Sequence, residues 1–335
     1  MKKPIIIAEA GVNHNGSLRI AKKLIDVAKK AKADYVKFQT FEANKLVTKQ
    51  AKLADYQKKN LKQNKSQYQM LKELELKKKD HIKLINYCKK KKIKFLSTAF
   101  DLESLEFLIK KCKIDCIKIP SGEITNLPLL EKAASLKKKI FLSTGMSNLK
   151  EISLAIKILN KNGCKSKNIT VLHCITNYPA APEELNLAVI KLLKKKFKIN
   201  VGYSDHSLGI LAPIIAVSYG ASVIEKHFTL NKNFEGPDHK ASLEPDELKK
   251  MIENIKNASL MIGKELKILS QAEKKNKLIA RKSIVAKKII YKGEKFTKFN
   301  LTCKRPGDGI SPMNWYKVVG KKAKKKFNID ETIKN

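Results

Sequence analysis

IIIAEAGVNHNG, residues 5–16, sets the pattern from which the fold can be predicted. A short apolar run ends in the carboxylate Glu9, and a polar loop containing two glycines follows it. Runs of the same kind, rich in Ile and Val, alternate with helix-like segments and lie at 5–8, 35–38, 93–97, 116–119, 140–143, 169–173, 199–203 and 222–225. This alternation is typical of βα units around a parallel sheet, and eight strands predict a closed (β/α)8 barrel of the α/β class.

The pattern changes after residue 269. Residues 270–282 are polar and are predicted to form a linker, and the chain beyond them has short strand-like runs with turn signals at Lys292-Gly293 and Pro306-Gly307. The sequence therefore predicts a barrel domain at 1–269, a linker at 270–282 and a small β-rich domain at 283–335. The polar segment 44–76 is longer than a connection requires, and its composition fits either an excursion over one barrel mouth or a solvated insertion.

Composition limits the classes of function. The formal net charge of +40 invites a nucleic-acid-binding alternative, but the excess is almost all lysine, and Arg19, Arg281 and Arg305 are the only arginines. Because base readout and bidentate phosphate binding favour arginine, we interpret the lysines as solvated helix faces and expect no nucleic-acid partner. No apolar run approaches the roughly 20 residues that cross a bilayer, and the six cysteines lack metal-site spacing. We expect a cytoplasmic protein without a membrane partner.

Polar residues capable of chemistry follow every predicted strand. They include Glu9, Lys37, Gln39, Thr98, Lys118, Ser121, Ser143, His173, Ser204, Asp205, His206, Glu225, Lys226, His227 and Asp238. In a (β/α)8 barrel these strand ends form one mouth, where the active site lies. A lone lysine there is usually solvated and a lone histidine is usually a hydrogen-bonded core residue. Two lysines that point into the barrel, however, would be buried at a large cost in free energy unless an anion neutralised them.

Two groups of these residues suggest specific chemistry. Lys37 and Lys118 could form a cradle for phosphate and carboxylate groups, with hydroxyls from Thr98, Ser121, Ser143 and Ser204. His206 and His227 end adjacent strands, so their imidazoles could bind one catalytic Mn, Mg or Zn ion that keeps open positions. Glu225 and Asp205 are then candidates for orienting those histidines.

The sequence resembles the sialic acid synthase family, which comprises bacterial N-acetylneuraminate synthases and their legionaminate and pseudaminate relatives. The resemblance spans essentially the whole chain through IIIAEAGVNHNG, VKFQTF, FLSTAF, IKIPSGEITNLP, LSTGM, LHCITNYP, GYSDHS, IEKHFT, GPDHKASLEP, ARKSIVAK and KRPGDGISP. One departure is Ala99, where the family commonly has proline. The resemblance implies a barrel followed by an antifreeze-like (SAF) domain, in a domain-swapped homodimer whose small domain reaches over the partner's barrel.

The resemblance also implies roles for single residues. Phosphoenolpyruvate would be held by Lys37, Thr98, Lys118, Ser121, Ser143 and Ser204, and the acceptor sugar would contact Glu9, Gln39, Tyr178 and Asp238. His206 and His227 would bind the catalytic divalent metal, with Mn²⁺ preferred and Mg²⁺ or another divalent ion as alternatives. Glu9 or Asp238 would transfer protons, and Arg305 from the other chain would contact the N-acetyl group of the acceptor.

These roles predict a transferase that condenses phosphoenolpyruvate with an N-acetylated amino sugar. The main prediction is N-acetylneuraminate synthase, which uses N-acetylmannosamine and water and releases phosphate. The alternative is N,N'-diacetyllegionaminate synthase, which uses a 2,4-diacetamido-2,4,6-trideoxy-mannose acceptor. A synthase acting on a phosphorylated sugar would need more basic residues at the acceptor end and would lack KRPGDG.

Overall fold

The computed structural model describes residues 3–61 and 65–334. Eight parallel strands close into a barrel whose order follows the chain, with the last strand pairing back to the first. They are β1 (Ile5–Gly11), β2 (Tyr35–Thr40), β3 (Lys94–Ala99), β4 (Cys116–Ile119), β5 (Lys139–Ser143), β6 (Ile169–His173), β7 (Asn200–Asp205) and β8 (Val223–His227). The predicted (β/α)8 barrel is confirmed. Several strands run two or three residues further than predicted, because their terminal polar side chains point into the mouth without interrupting the backbone pairing.

Helices cover the outside of the barrel. They are α1 (Leu18–Lys30), α5 (Lys78–Lys91), α6 (Leu102–Lys110), α7 (Leu127–Ser135), α8 (Leu149–Lys161), α9 (Val189–Phe197), α10 (Leu211–Ser218) and α11 (Pro245–Ile262). Between β2 and α5 lie three short helices, α2 (Ala43–Leu46), α3 (Asp55–Leu61) and α4 (Gln67–Leu74). The predicted cap of α1 is present, since the Ser17 hydroxyl accepts a hydrogen bond from the Ile20 amide.

An apolar layer fills the barrel below its mouth. Its buried members are Ile7, Tyr35, Leu96, Cys116, Phe141, Leu172 and Val223. Because side chains alternate along a strand, the residue two positions further on points to the same interior. That residue is Glu9 after Ile7, Lys37 after Tyr35, Thr98 after Leu96, Lys118 after Cys116, Ser143 after Phe141 and Glu225 after Val223. The strand pleat therefore stacks a polar layer on an apolar layer, with the polar layer toward the carboxyl end of the barrel.

The residues from Lys264 onward form a second compact unit. Helix α12 (Gln271–Ala280) occupies most of the predicted linker, and Ser270 and Glu273 cap it reciprocally. Strands β9 (Ser283–Ala286) and β10 (Leu301–Lys304) pair antiparallel, and helix α13 (Trp315–Val318) follows them. A separate apolar core holds this unit together, built from Ile284, Ile290, Phe296, Leu301, Phe327 and their neighbours. Within residues 3–61 and 65–334, no helix is both long and apolar enough to cross a bilayer.

A buried ion pair lies on the outward side of β7 and β8. Lys226 and Asp205 are opposite each other in the strand register and neither is exposed to solvent. Asp205 also accepts hydrogen bonds from the Tyr203 hydroxyl at 2.9 Å and from the Ser207 amide and hydroxyl at 2.9 and 2.7 Å. Sequence reasoning placed Asp205 beside the histidines as an orienting group. The structure instead pairs it with Lys226, because its strand position points away from the barrel interior.

Replacing Lys226 with methionine should lower the free energy of unfolding by about 3–5 kcal/mol, because it leaves the Asp205 carboxylate buried without its cation. Denaturant unfolding followed by circular dichroism measures the loss. The double variant Asp205→Asn/Lys226→Met should recover most of it, and Lys110→Met, which breaks the exposed pair with Glu106, should change little. A double variant no more stable than Lys226→Met would contradict this account.

Candidate active site

A cavity of about 440 Å³ occupies the carboxyl end of the barrel. Its lining includes every barrel residue predicted for the site, namely Glu9, Lys37, Gln39, Thr98, Lys118, Ser121, Ser143, Tyr178, Ser204, His206, His227 and Asp238. The structure thus brings together twelve side chains drawn from across 230 residues of sequence. Arg305 is the exception, since it is an exposed residue directly after β10 in the second unit.

Glu225 is the centre of the cationic part of the cavity. Its Oε1 atom accepts hydrogen bonds from Lys118 Nζ and Ser204 Oγ, both at 3.0 Å, and lies 3.3 Å from Lys37 Nζ. The sequence argument expected an external anion to neutralise the two lysines. In the structure a carboxylate of the chain itself already does so, and Glu225 belongs to the lysine cluster rather than orienting the histidines. Because a lysine ammonium carries three donors, an anionic substrate can bind the lysines alongside Glu225.

Glu9 is the second carboxylate near the lysines. Its Oε2 atom lies 3.1 Å from Lys37 Nζ, an ion-pair distance without hydrogen-bond geometry, and Lys37 donates its hydrogen bond to Thr98 Oγ1 at 3.0 Å. Burial raises the pKa of Glu9 above its ordinary value, with Lys37 opposing the shift only in part. For Glu225 burial acts in the same direction, but Lys118 and Lys37 outweigh it and lower the pKa. Glu225 is therefore the carboxylate that stays ionised, and Glu9 is the one that can hold a proton.

His206 and His227 face each other across the outer part of the cavity, with ring centroids 5.5 Å apart. Burial lowers the pKa of His206 to about 4 and holds that of His227 well below its ordinary value, so both rings are neutral at neutral pH. His206 Nδ1 is hydrogen-bonded to the Ile175 carbonyl, which can only accept, so its Nε2 carries a free lone pair. The pair is therefore in the protonation state that binds a metal.

Several buried polar atoms of the cavity lining lack a hydrogen-bond partner in the part of the chain that the structure describes. Among the described residues, four buried side-chain atoms of the site have no hydrogen-bond partner, namely Glu9 Oε2, Ser143 Oγ, Glu225 Oε2 and His227 Nδ1. Such atoms are rare in protein interiors and usually meet a ligand, an ion or water. The described residues contain no group of three or more His, Cys, Asp or Glu side chains arranged to hold a metal. A metal on His206 and His227 would therefore complete its coordination with water and substrate oxygens.

Aromatic rings cover the histidines from outside. Tyr178 stacks on His206 with 4.0 Å between centroids, and Tyr56 stacks on the other side of Tyr178 at 4.9 Å. Tyr56 belongs to α3 and lines the cavity, so the described parts of the segment 44–76 form an excursion over the mouth rather than a solvated insertion. Sequence reasoning missed Tyr56, although the length of that segment signalled it. Asp238 Oδ2 lies 3.9 Å from His227 Nδ1, and burial raises the pKa of Asp238 to about 7.

The profile of the NeuB family matches residues 24–267, well over half of the chain, and that of the SAF domain matches 281–335. The chain belongs to the NeuB family. Membership confirms the resemblance to the sialic acid synthases and the SAF domain after the barrel. It also makes the chain an enzyme, a transferase that forms nonulosonic acids.

Several members of the NeuB family resemble this chain over most of its length. The N,N'-diacetyllegionaminic acid synthase of Campylobacter jejuni is 54% identical over 334 residues, covering 100% of both chains. The enzyme of the same name from Legionella pneumophila is 43% identical and covers 98% of this chain and 92% of its own. A solved N-acetylneuraminic acid synthetase from Leptospira borgpetersenii is 34% identical, with a TM-score of 0.72, covering 82% of this chain and 90% of its own. The two relatives of higher identity bear the name of the legionaminate alternative, and the third bears that of the main prediction, N-acetylneuraminate.

Proposed function

We propose that the enzyme is an N,N'-diacetyllegionaminate synthase, which condenses phosphoenolpyruvate with 2,4-diacetamido-2,4,6-trideoxy-mannose and water. The observation that carries the proposal is one cavity in which a lysine and hydroxyl cradle adjoins two neutral histidines. The cradle suits a substrate with phosphate and carboxylate groups, and the histidines suit activation of an aldehyde. The 54% identity to a legionaminic acid synthase supports this acceptor over N-acetylmannosamine.

Phosphoenolpyruvate would bind the two lysines beside Glu225, through ammonium donors that Glu225 does not use. Lys37 and Lys118 would bind its anionic groups, aided by hydroxyls of Thr98, Ser121, Ser143 and Ser204. Ser143 supports this role most directly, because its hydroxyl is buried in the cavity without a partner among the described residues. Because Glu225 remains ionised beside the lysines, the bound substrate would experience its repulsion, which the two ammonium groups must outweigh.

His206 and His227 would hold the divalent metal, for which we propose Mn²⁺, with Mg²⁺ or another divalent ion as alternatives. When bound, the metal would supply Lewis-acid polarisation of the acceptor aldehyde oxygen. Two features of the histidines fit a bound metal. The Nδ1 atom of His206 is hydrogen-bonded to a carbonyl, which leaves the lone pair of its Nε2 atom for the metal. The Nδ1 atom of His227 is buried without a hydrogen-bond partner among the described residues.

The reaction would proceed by addition of the phosphoenolpyruvate methylene carbon to the aldehyde carbon, forming the new carbon–carbon bond. The aldehyde oxygen then takes a proton, for which Glu9 is the better candidate because its carboxyl holds one beside the cradle. Water then adds to the cationic carbon that bears the phosphate oxygen. The added water loses a proton, and Asp238 can accept this proton when its carboxyl group is ionised. The carbon–oxygen bond to phosphate then breaks, the departing phosphate takes the proton of the new hydroxyl, and the ketone forms. Lys37 and Lys118 would stabilise the anionic groups throughout.

The choice of acceptor sugar distinguishes a legionaminate synthase from an N-acetylneuraminate synthase. Phosphate release with 2,4-diacetamido-2,4,6-trideoxy-mannose should give a kcat/KM at least about tenfold above that with N-acetylmannosamine. Contacts that match one substrate better than a related one typically change kcat/KM by one or two orders of magnitude. The nonulosonic acid product can be identified by mass spectrometry. A higher kcat/KM with N-acetylmannosamine would reject the legionaminate proposal and restore the neuraminate prediction.

We also propose that the enzyme is a cytoplasmic homodimer in which Arg305 of one copy serves the acceptor bound by the other. Arg305→Ala and His206→Ala should each be inactive, but a mixed dimer would combine one intact barrel with one intact arginine. Activity should therefore return on mixing, to about a quarter of the wild-type level if subunits exchange at random. Verified mixed dimers without activity would contradict a shared site.

A further inference from the structure

One face of α4 forms part of the catalytic cavity. Gln67, Met70, Leu71 and Leu74 line it at helical spacing, and only the first of them is polar. Val12, from the loop after β1, completes a surface here called the apolar wall, defined as Val12, Met70, Leu71 and Leu74. These four side chains are buried, with exposures of 3 to 9%.

The apolar wall is held firmly against the barrel. Gly16 packs so closely on α4 that a Cβ atom there would come within 2.7 Å of the Glu73 carbonyl oxygen. At the other side of the excursion, the Asn60 side-chain amide donates a hydrogen bond of 2.8 Å to the Pro237 carbonyl, next to Asp238. These two contacts hold the excursion against the loops after β1 and β8.

The wall lines the same cavity that would hold the acceptor. An aldehyde carbon beside His206 and His227 fixes one end of the sugar, and the apolar layer beneath the polar one closes the barrel below it. The sugar chain therefore extends outward, where the excursion is one of the segments that line the cavity. Tyr56 of the excursion stacks on Tyr178, one of the residues predicted to contact the acceptor.

We propose that the apolar wall is the specificity determinant for carbon 6 of the acceptor, receiving a methyl group and disfavouring a hydroxymethyl group. The inference rests on the proposed function and names the residues that select its substrate. A methyl group against Met70 and Leu74 is removed from water with favourable contact. A hydroxyl in the same place would lose its hydrogen bonds to water, and the four side chains of the wall offer none in return.

The test uses acceptors that differ only at carbon 6: N-acetylmannosamine against its 6-deoxy analogue, and 2,4-diacetamido-2,4-dideoxy-mannose against the trideoxy sugar. In each pair the 6-deoxy member should have a kcat/KM about 10 to 100 times higher, the range in which an apolar pocket discriminates against an added hydroxyl. The variant Met70→Gln adds a hydrogen-bonding group at similar volume and should reduce the ratio to within a few-fold. Met70→Leu, a volume-conserving control, should keep it.

The KM for phosphoenolpyruvate should stay within about twofold in both variants, because the inference assigns Met70 to the acceptor and not to the lysine cradle. Equal kcat/KM values within each wild-type pair would overturn the inference, and this measurement does not depend on any variant folding. An unchanged ratio in folded, active Met70→Gln would also overturn it. The proposed function fails separately, if N-acetylmannosamine is used better than the diacetamido trideoxy sugar while each carbon-6 pair still prefers the deoxy member.

Discussion

His206→Ala should lower kcat/KM by about 10³-fold or more, because the loss of a metal ligand removes several kcal/mol of stabilisation from the polarised aldehyde. His206 is positioned for this by the Ile175 carbonyl, which fixes the ring and leaves Nε2 free. His227→Ala should have an effect of the same size. Isothermal titration with Mn²⁺ should show weakened binding by both variants, which separates loss of the metal from other causes of inactivity.

His173 provides a matched control for these variants. It ends the neighbouring strand β6 and is buried, but its Nε2 is hydrogen-bonded to the Leu185 carbonyl and it does not line the catalytic cavity. His173→Asn should keep wild-type Mn²⁺ affinity even if its stability falls. Metal-dependent turnover retained by His206→Ala would reject the assignment of the two histidines.

Lys118→Met should raise the KM for phosphoenolpyruvate by roughly 10- to 100-fold while changing the KM for the acceptor by a few-fold at most. Hydrogen bonds to charged groups contribute about 1.5–3 kcal/mol, and each 1.4 kcal/mol corresponds to a factor of ten. The loss should lie toward the upper end of this range, because Glu225 would keep its negative charge with only Lys37 left to offset it. Initial-rate kinetics with each substrate varied in turn measure both constants.

Lys139→Met is the control for a general loss of positive charge. Lys139 begins β5, next to the strand that carries Lys118, but it is exposed at the opposite end of the barrel. Its replacement should leave both KM values unchanged if binding depends on the cradle rather than on the net charge of +40. An effect of Lys118→Met confined to the acceptor would refute the phosphoenolpyruvate assignment.

Much of the active-site mouth could be predicted from the sequence. Local alternation of apolar runs and helices identified all eight strands, because strand and helix periodicities are properties of short segments. The pleat then fixes which side chain faces inward, so that Glu9, Lys37 and Lys118 each follow an apolar interior residue by two positions. Once the barrel closes, these positions must meet at its carboxyl end. These strand positions could therefore be selected without knowledge of any distance between them, whereas the roles of Tyr178 and Asp238, in loops beyond the strands, came from the resemblance to the family.

The tertiary structure alone decided how these residues pair and what covers them. Glu225 faces the lysines because β8 closes back on β1, which brings its carboxylate within 3.0 Å of Lys118 across the barrel. Tyr56 and the apolar wall reach the cavity because of how the excursion packs, and its sequence indicated only an unusual length. Periodicity specifies the face on which a side chain lies, but its neighbours and its charge state depend on distances and burial that arise only when distant segments pack together.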